Sequence, residues 1–195
     1  LTQIDKMDNV EVFLESEVDC EQIREFGADQ VALATGSHWR PDGIGRWHGS
    51  EVSGWRDARV ITPDDIFSGM EISGPVLIYD DDHYYMGGVM AELLAGRGLS
   101  VTLVTPEPLV SAWTHNTEEQ ARIQKRLLEL DVTIQANSAL DRLSTESATL
   151  ACTFTGRERV VEAPVVLMVT LRRPDEELYA SLQDFIEEAE PGVVT

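Results

Sequence analysis

Cysteine, basic residues and long apolar runs are all scarce in this chain of 195 residues, and each scarcity removes a class of function. The two cysteines, Cys20 and Cys152, stand far apart, with no CxxC pair and no adjacent His. That spacing excludes a four-cysteine iron–sulfur or zinc site built from this chain alone and points to a reducing compartment. Fifteen Lys and Arg face 35 Asp and Glu, for a formal net charge of −20. Nucleic acids and anionic membranes are bound by clustered cations, so neither is an expected partner. No run of 18 apolar residues occurs and no signal peptide opens the chain, so a cytoplasmic location is expected.

What is present is an alternation of strand and helix, which indicates an α/β fold. Val10–Leu14 and Gln30–Thr35 read as strands, with Asp19 capping a short helix to Phe26 between them and Gly27 closing it. The Gly- and Trp-rich stretch from Ser37 to Val60 reads as a loop. Thr62-Pro63-Asp64-Asp65 carries an N-cap, a proline at the first helical position and acids in the first turn, so a helix to Ser68 follows. A strand over 75–79, a helix over 84–97 and a strand over 100–104 come next. Thr117-Glu118-Glu119-Gln120 has the spacing of a capping box for a helix to Leu130, with Val132–Ile134 as a third strand. This βαβαβ run implies a parallel sheet. Short segments over 138–143, 148–154 and 159–161, the last two joined by Thr155-Gly156-Arg157, form a β-meander. Val165–Thr170 returns as a buried strand, and an acidic helix over 175–190 leads to a strand-like Gly192–Thr195. Leu1 in place of Met, together with that last stub, suggests a piece excised from a longer polypeptide.

One further absence is local. Val76–Leu94 reads as a strand running into a helix, the place where a dinucleotide-binding domain puts glycines so that backbone N–H groups approach the pyrophosphate. Here the turn is Asp80-Asp81-Asp82-His83 and contains no glycine. One like-charge pair at about 5 Å and an effective dielectric of about 20 costs roughly 3 kcal/mol. The turn is therefore a degenerate dinucleotide turn, expected to be solvated, with Asp80, Asp82 and His83 as its candidate site residues. Three carboxylates could attract Mg2+ or Ca2+, but no ligand spacing follows, so no metal site is assigned. Gly87 and Gly88 would permit close helix–strand packing. Thr105 stands where the ribose-binding acid of such domains belongs. The aromatic-rich segment containing Trp39, Trp47, His48 and Trp55, and Trp113–His115 beyond it, are expected to form a contact with another domain. No nucleophile–base arrangement emerges from the spacing, so no catalytic group is assigned.

The motifs Ala34–Gly43 (ATGSHWRPDG), Val76–Ala95, Val101–Pro106 and Ser111–Leu130 resemble the C-terminal region of the trimethylamine dehydrogenase group. That group includes dimethylamine and histamine dehydrogenases and, more distantly, 2,4-dienoyl-CoA reductase. The likeness runs from about residue 10 to 185, and the DDDHYYM and WTHNTEEQ segments carry most of it. It implies a Rossmann-like domain of the FAD/NAD(P)-binding type, a parallel sheet with a β-meander, plus flanking pieces of a second, split nucleotide-binding domain. The divisions expected are 1–60 for a partial FAD/ADP-type domain and linker, 61–168 for a degenerate NAD(P)-type domain with its meander near 138–162, and 169–195 for the return segment. It implies a parent oxidoreductase acting on amines, with FMN in an N-terminal barrel, a 4Fe–4S cluster, and ADP or FAD. The fragment itself would carry no cofactor of its own and no catalysis. Ala34, Thr35 and Gly36 would line part of the ADP/FAD-type site. Implied partners are the missing barrel of the same chain, an electron-transferring flavoprotein as acceptor, and a second copy in a homodimer. Two other readings stand beside it: a working NAD(P)H-binding domain of a flavin reductase, and an acidic interaction module.

Overall fold

The computed structural model describes residues 3–189, which divide into two compact units, 3–36 with 174–189, and 37–173.

In the smaller unit, Asp19 begins helix α1 (Cys20–Phe26) with a capping box. Its carboxylate accepts the Gln22 N–H at 2.9 Å, while the Gln22 side chain accepts the Asp19 N–H at 3.1 Å. Gly27 ends the helix at φ +67°, a conformation glycine adopts without Cβ strain. The two expected strands do not form. Residues 10–14 and 30–35 are irregular and exposed, Leu14 being 71% and Val31 48% accessible. Their alternating apolar pattern suits a strand, but a strand needs a neighbour to exchange ladder hydrogen bonds with. None is present in this unit among the described residues.

The larger unit opens where a loop was expected, with β1 (Ser37–Trp39). Next come β2 (Val60–Ile61), α2 (Pro63–Phe67), β3 (Val76–Asp80), α3 (Tyr85–Gly96) and β4 (Val101–Val104). After a 3-10 turn over Ala112–Thr117 follow α4 (Gln120–Glu129) and β5 (Thr133–Gln135). Strands β6 (Ser138–Leu143), β7 (Ser147–Cys152) and β8 (Glu158–Glu162) form the expected antiparallel meander. Strands β9 (Val165–Val169) and β10 (Arg172–Pro174) precede α5 (Glu177–Ala189), which returns to the smaller unit. The expected strand at Gly192–Thr195 lies outside the described residues.

Five parallel strands make the central sheet, in the order β2-β9-β3-β4-β5. Strands β3 and β9 are buried at every position, because side chains alternate between two covered faces. Val76 and Ile78 join Met90, Leu94 and Leu127 beneath helices α3 and α4. Leu77 and Tyr79 join Leu140, Leu150 and Met168 beneath the meander. The continuous apolar run VLIY is thus the signature of a strand covered on both sides.

The start of α2 is as expected, with Thr62 as N-cap in a capping box with Asp65 and Pro63 in the first turn, whereas the start of α4 differs. At α2 the acceptor is Asp65, whose Oδ2 takes the Thr62 N–H at 2.7 Å and the Thr62 hydroxyl at 2.9 Å. At α4 the Thr117 capping box is not made. The 3-10 turn continues through Thr117, Glu118 takes a left-handed conformation at φ +61°, and Glu119 precedes the helix without a side-chain cap. Glu119 is instead occupied by the Tyr85 hydroxyl and by Arg122.

Candidate functional site

Parallel strands all point their carboxyl ends the same way, and ligands of such sheets bind at that end, where the chain order reverses. Here the reversal falls at β3, since β4 lies on one side of it and β9 on the other. The Asp80–His83 turn sits at that point, leading from β3 into α3.

The turn is not solvated, contrary to expectation. Asp80 and Asp81 are fully buried, Asp82 is half-buried and His83 is 4% exposed. The backbone explains this. Asp80 continues the ladder with β9, and the Asp81 and Asp82 N–H groups both donate to the Val169 carbonyl, at 2.8 and 3.1 Å. His83 adopts a left-handed φ of +65°, which brings its N–H to Asp80 Oδ1 at 3.1 Å. A non-glycine residue there is uncommon and holds only where its surroundings over-determine it. The His83 carbonyl is taken by the Trp113 N–H at 2.9 Å, which fixes the other side of the turn.

Asp80 lies against the first turn of α3. A Cβ on Gly87 would fall 2.3 Å from its carboxyl carbon, so this glycine makes room for a carboxyl group. Burial pushes the Asp80 pKa up to about 7, opposed by the His83 N–H. Asp80 Oδ2 receives no hydrogen bond among the described residues. At neutral pH the turn therefore carries less charge than three ionised acids. Burial also raises Asp82, against the pull of Arg46 and Arg172. Tyr79, buried at the end of the same strand, is held well above the usual phenol range by burial and by Asp81.

Segment Asp42–His48 covers the turn from outside. The Trp47 N–H donates to Asp81 Oδ2 at 2.8 Å, and a Cβ on Gly45 would stand 2.0 Å from that same oxygen. Arg46 lies 3.9 Å from Asp82 Oδ1 and stacks 4.1 Å over the Trp113 ring. His83 Nε2 lies 3.2 Å from Asp81 Oδ1. Sequence reasoning missed that residues 45–47 meet residues 81–82, because nothing in local spacing encodes a contact across that much chain. A signal for Asp42 was there but not used: Pro41-Asp42-Gly43 is a turn signature, and Asp42 Oδ1 accepts the Ile44 N–H at 3.1 Å. Arg40 binds both oxygens of Asp42, at 3.0 and 2.5 Å. Burial works against that carboxylate, yet the Arg40 hydrogen bonds hold its pKa below the usual range.

The expected aromatic contact surface separates into inner and outer members. Trp39 is buried under the Arg172 guanidinium, and its N–H donates to Asp64 at 2.7 Å. Trp55 is half-buried, while Trp47 and Trp113 remain 49% and 44% exposed. Thr105 is buried, and its hydroxyl accepts the Glu107 N–H at 3.3 Å. In the other unit, Ala34, Thr35 and Gly36 are exposed. The Thr35 hydroxyl donates to the Asp175 carbonyl at 2.6 Å, and Gly36 stands at φ +88° with open space around it.

Comparison with known proteins agrees with this architecture. The model of the OYE-like second alpha/beta domain matches residues 61–160. The dimethylamine dehydrogenase of Hyphomicrobium sp. (strain x) is 26% identical over 84% of this chain and 25% of its own. The N,N-dimethylglycine/sarcosine dehydrogenase of Chromohalobacter salexigens is 31% identical over 90% of this chain and 26% of its own. The structure of histamine dehydrogenase from Rhizobium sp. 4-9 superposes with a TM-score of 0.91 at 38% identity, over 96% of this chain and 30% of that one. The chain thus spans about a quarter of the length of the curated relatives it matches.

Proposed function

This chain belongs to the family of OYE-like second alpha/beta domains, and from that premise we propose that it is the nucleotide-domain-like portion of a flavin-dependent amine dehydrogenase or demethylase. The portion is itself non-catalytic and closed to pyridine nucleotides. The observation that carries this reading is the turn at the carboxyl end of β3. Asp80 and Asp81 are buried where a dinucleotide domain keeps glycines for its diphosphate, and Gly45 and Trp47 rest on Asp81. A phosphate placed there would face carboxyl groups and lose the Trp47 N–H to Asp81.

The fold proposed is Rossmann-like, of the FAD/NAD(P)-binding type. Its support is the five-stranded parallel sheet with helices over one face and a meander over the other. We assign residues 61–168 to the degenerate NAD(P)-type domain, 1–60 to part of a second, ADP- or FAD-type domain and the linker that follows it, and 169–195 to the return segment. Ala34, Thr35 and Gly36 fit part of an adenine-nucleotide site, being exposed with no side chain crowding Gly36. With two cysteines in the whole sequence, a 4Fe–4S cluster of the parent would take its thiolates from outside this chain, as FMN would take its barrel. When bound there, FMN would supply the redox chemistry and this region would supply scaffold and interface. A cytoplasmic location, an electron-transferring flavoprotein as acceptor and a homodimeric parent complete the proposal. Among the described residues no helix is long and apolar enough to cross a membrane.

Calorimetric titration of the full polypeptide with NADH, NADPH and ADP tests it. No heat with either pyridine nucleotide is expected. Micromolar NADH binding would favour a working flavin-reductase domain instead.

A further inference from the structure

We propose that segment Asp42–His48 is a resident latch, occupying the crevice at the carboxyl end of β3 and held there by Asp81, so that the crevice is closed from within the chain. The inference rests on the proposed function and adds to it a steric means of exclusion.

The base of the segment is pinned on both sides. The Arg40 N–H donates to the Leu171 carbonyl at 3.0 Å, and the Val52 N–H to the Asp42 carbonyl at 2.9 Å. Arg40 clasps the Asp42 carboxylate, which also caps Ile44. The tip is a tight turn, with the Gly45 N–H donating to the His48 carbonyl at 3.0 Å. That turn presents the Trp47 N–H to Asp81 and leaves no room at Gly45 for a Cβ. Arg46 reaches Asp82 on one side and the Trp113 ring on the other, and Trp113 is bound to His83. The latch, the acidic turn and the Ala112–Thr117 turn are thus tied into one closed ring.

The chemistry of the ring inverts that of a phosphate site. In such a site, backbone N–H groups and a guanidinium meet the anion of a ligand. Here a backbone N–H and a guanidinium meet Asp81 and Asp82, which supply the anions from within. Displacing the latch would break the Trp47 N–H bond to Asp81 Oδ2, which that carboxylate would have to replace. Exclusion therefore has two parts, charge in the turn and occupation of the crevice, and Asp81 contributes to both.

Hydrogen exchange by mass spectrometry, resolved to the Trp47 amide in the full polypeptide, tests the latch. In the unmodified protein this amide should exchange at least about 100-fold slower than in a free chain, although the Trp47 side chain is exposed and its segment is irregular. Exchange at the free-chain rate would overturn the proposal without recourse to any variant. Gly45→Ala and Asp81→Ala break the contact from opposite sides. Each should bring the Trp47 amide to within about tenfold of the free-chain rate while the Leu77 and Ile78 amides of β3 stay slow. A Trp47 amide as slow in Gly45→Ala as before, with β3 intact, would overturn Asp81 as the holder. NADH titrated against the same samples separates the two claims. In the unmodified protein, a fast Trp47 amide without NADH binding overturns the latch alone, whereas NADH binding with the amide still slow overturns the latch as a barrier and the proposed function together.

Discussion

Asp80 is the residue whose placement has the most measurable consequence. Its carboxyl is wholly buried, and its pKa of about 7 in the fold compares with the ordinary aspartate value of 3.8. Between those two values the folded protein holds a proton that the unfolded chain has released, so stability falls as pH rises through the interval and levels off above it. About 3 pKa units correspond to roughly 4 kcal/mol as an upper bound. Asp80→Asn keeps the shape and removes the ionisation. It is expected to melt at a higher temperature than the natural protein at pH 8, with the difference shrinking by pH 5; an equal difference at both values would rule out ionisation as the cause. Gly87 is the counterpart of this carboxyl. Gly87→Ala places a methyl 2.3 Å from the Asp80 carboxyl carbon and should cost about 1–3 kcal/mol in urea denaturation.

Elements here are started by acids more than by hydroxyls, a consequence of which side chain reaches which N–H. At α2, Asp65 accepts from both the N–H and the hydroxyl of Thr62. Asp65→Ala should therefore destabilise by about 1 kcal/mol, and thermal denaturation of the two variants should show Thr62→Val to be milder. Strand β3 is the element on which both cores converge. Leu77→Ala, on the meander face, should cost about 2–5 kcal/mol by chemical denaturation, because a fully buried side chain leaves a cavity. The same element carries its acidic end into the crevice, so packing along β3 positions the turn that forms the candidate site.

At the scale of the molecule, a net charge of −20 acts against compaction. Raising NaCl from about 20 mM to about 300 mM shortens the Debye length from roughly 20 Å to below 8 Å and should raise the melting temperature. A melting temperature unchanged by salt would mean that the acids are already compensated locally. Some are: Arg56 binds Glu51 at 2.5 and 2.8 Å, and Arg142 bridges Asp141 and Glu158 at 2.8 Å each. Both guanidinium groups are exposed and such pairs contribute little each, so a salt effect is still expected. The two units differ in kind. Residues 37–173 enclose two apolar cores, whereas the smaller unit leaves Phe13, Leu14 and Phe26 more than 60% exposed.

The sequence by itself determined the parallel sheet, the meander and the position of the acidic turn. Each is written in short-range terms: an unbroken apolar run for a strand covered on both faces, alternation with turn residues for the meander, three adjacent Asp after VLIY. Those same local terms also suggested strands at residues 10–14 and 30–35. They could not register that a strand depends on a neighbour to accept its hydrogen bonds. Only the tertiary structure decided that Asp80 and Asp81 are buried and that Gly45 and Trp47 close over them. Both facts are contacts between residues distant along the chain, and burial, which sets the ionisation of a carboxyl group, depends on everything packed around it.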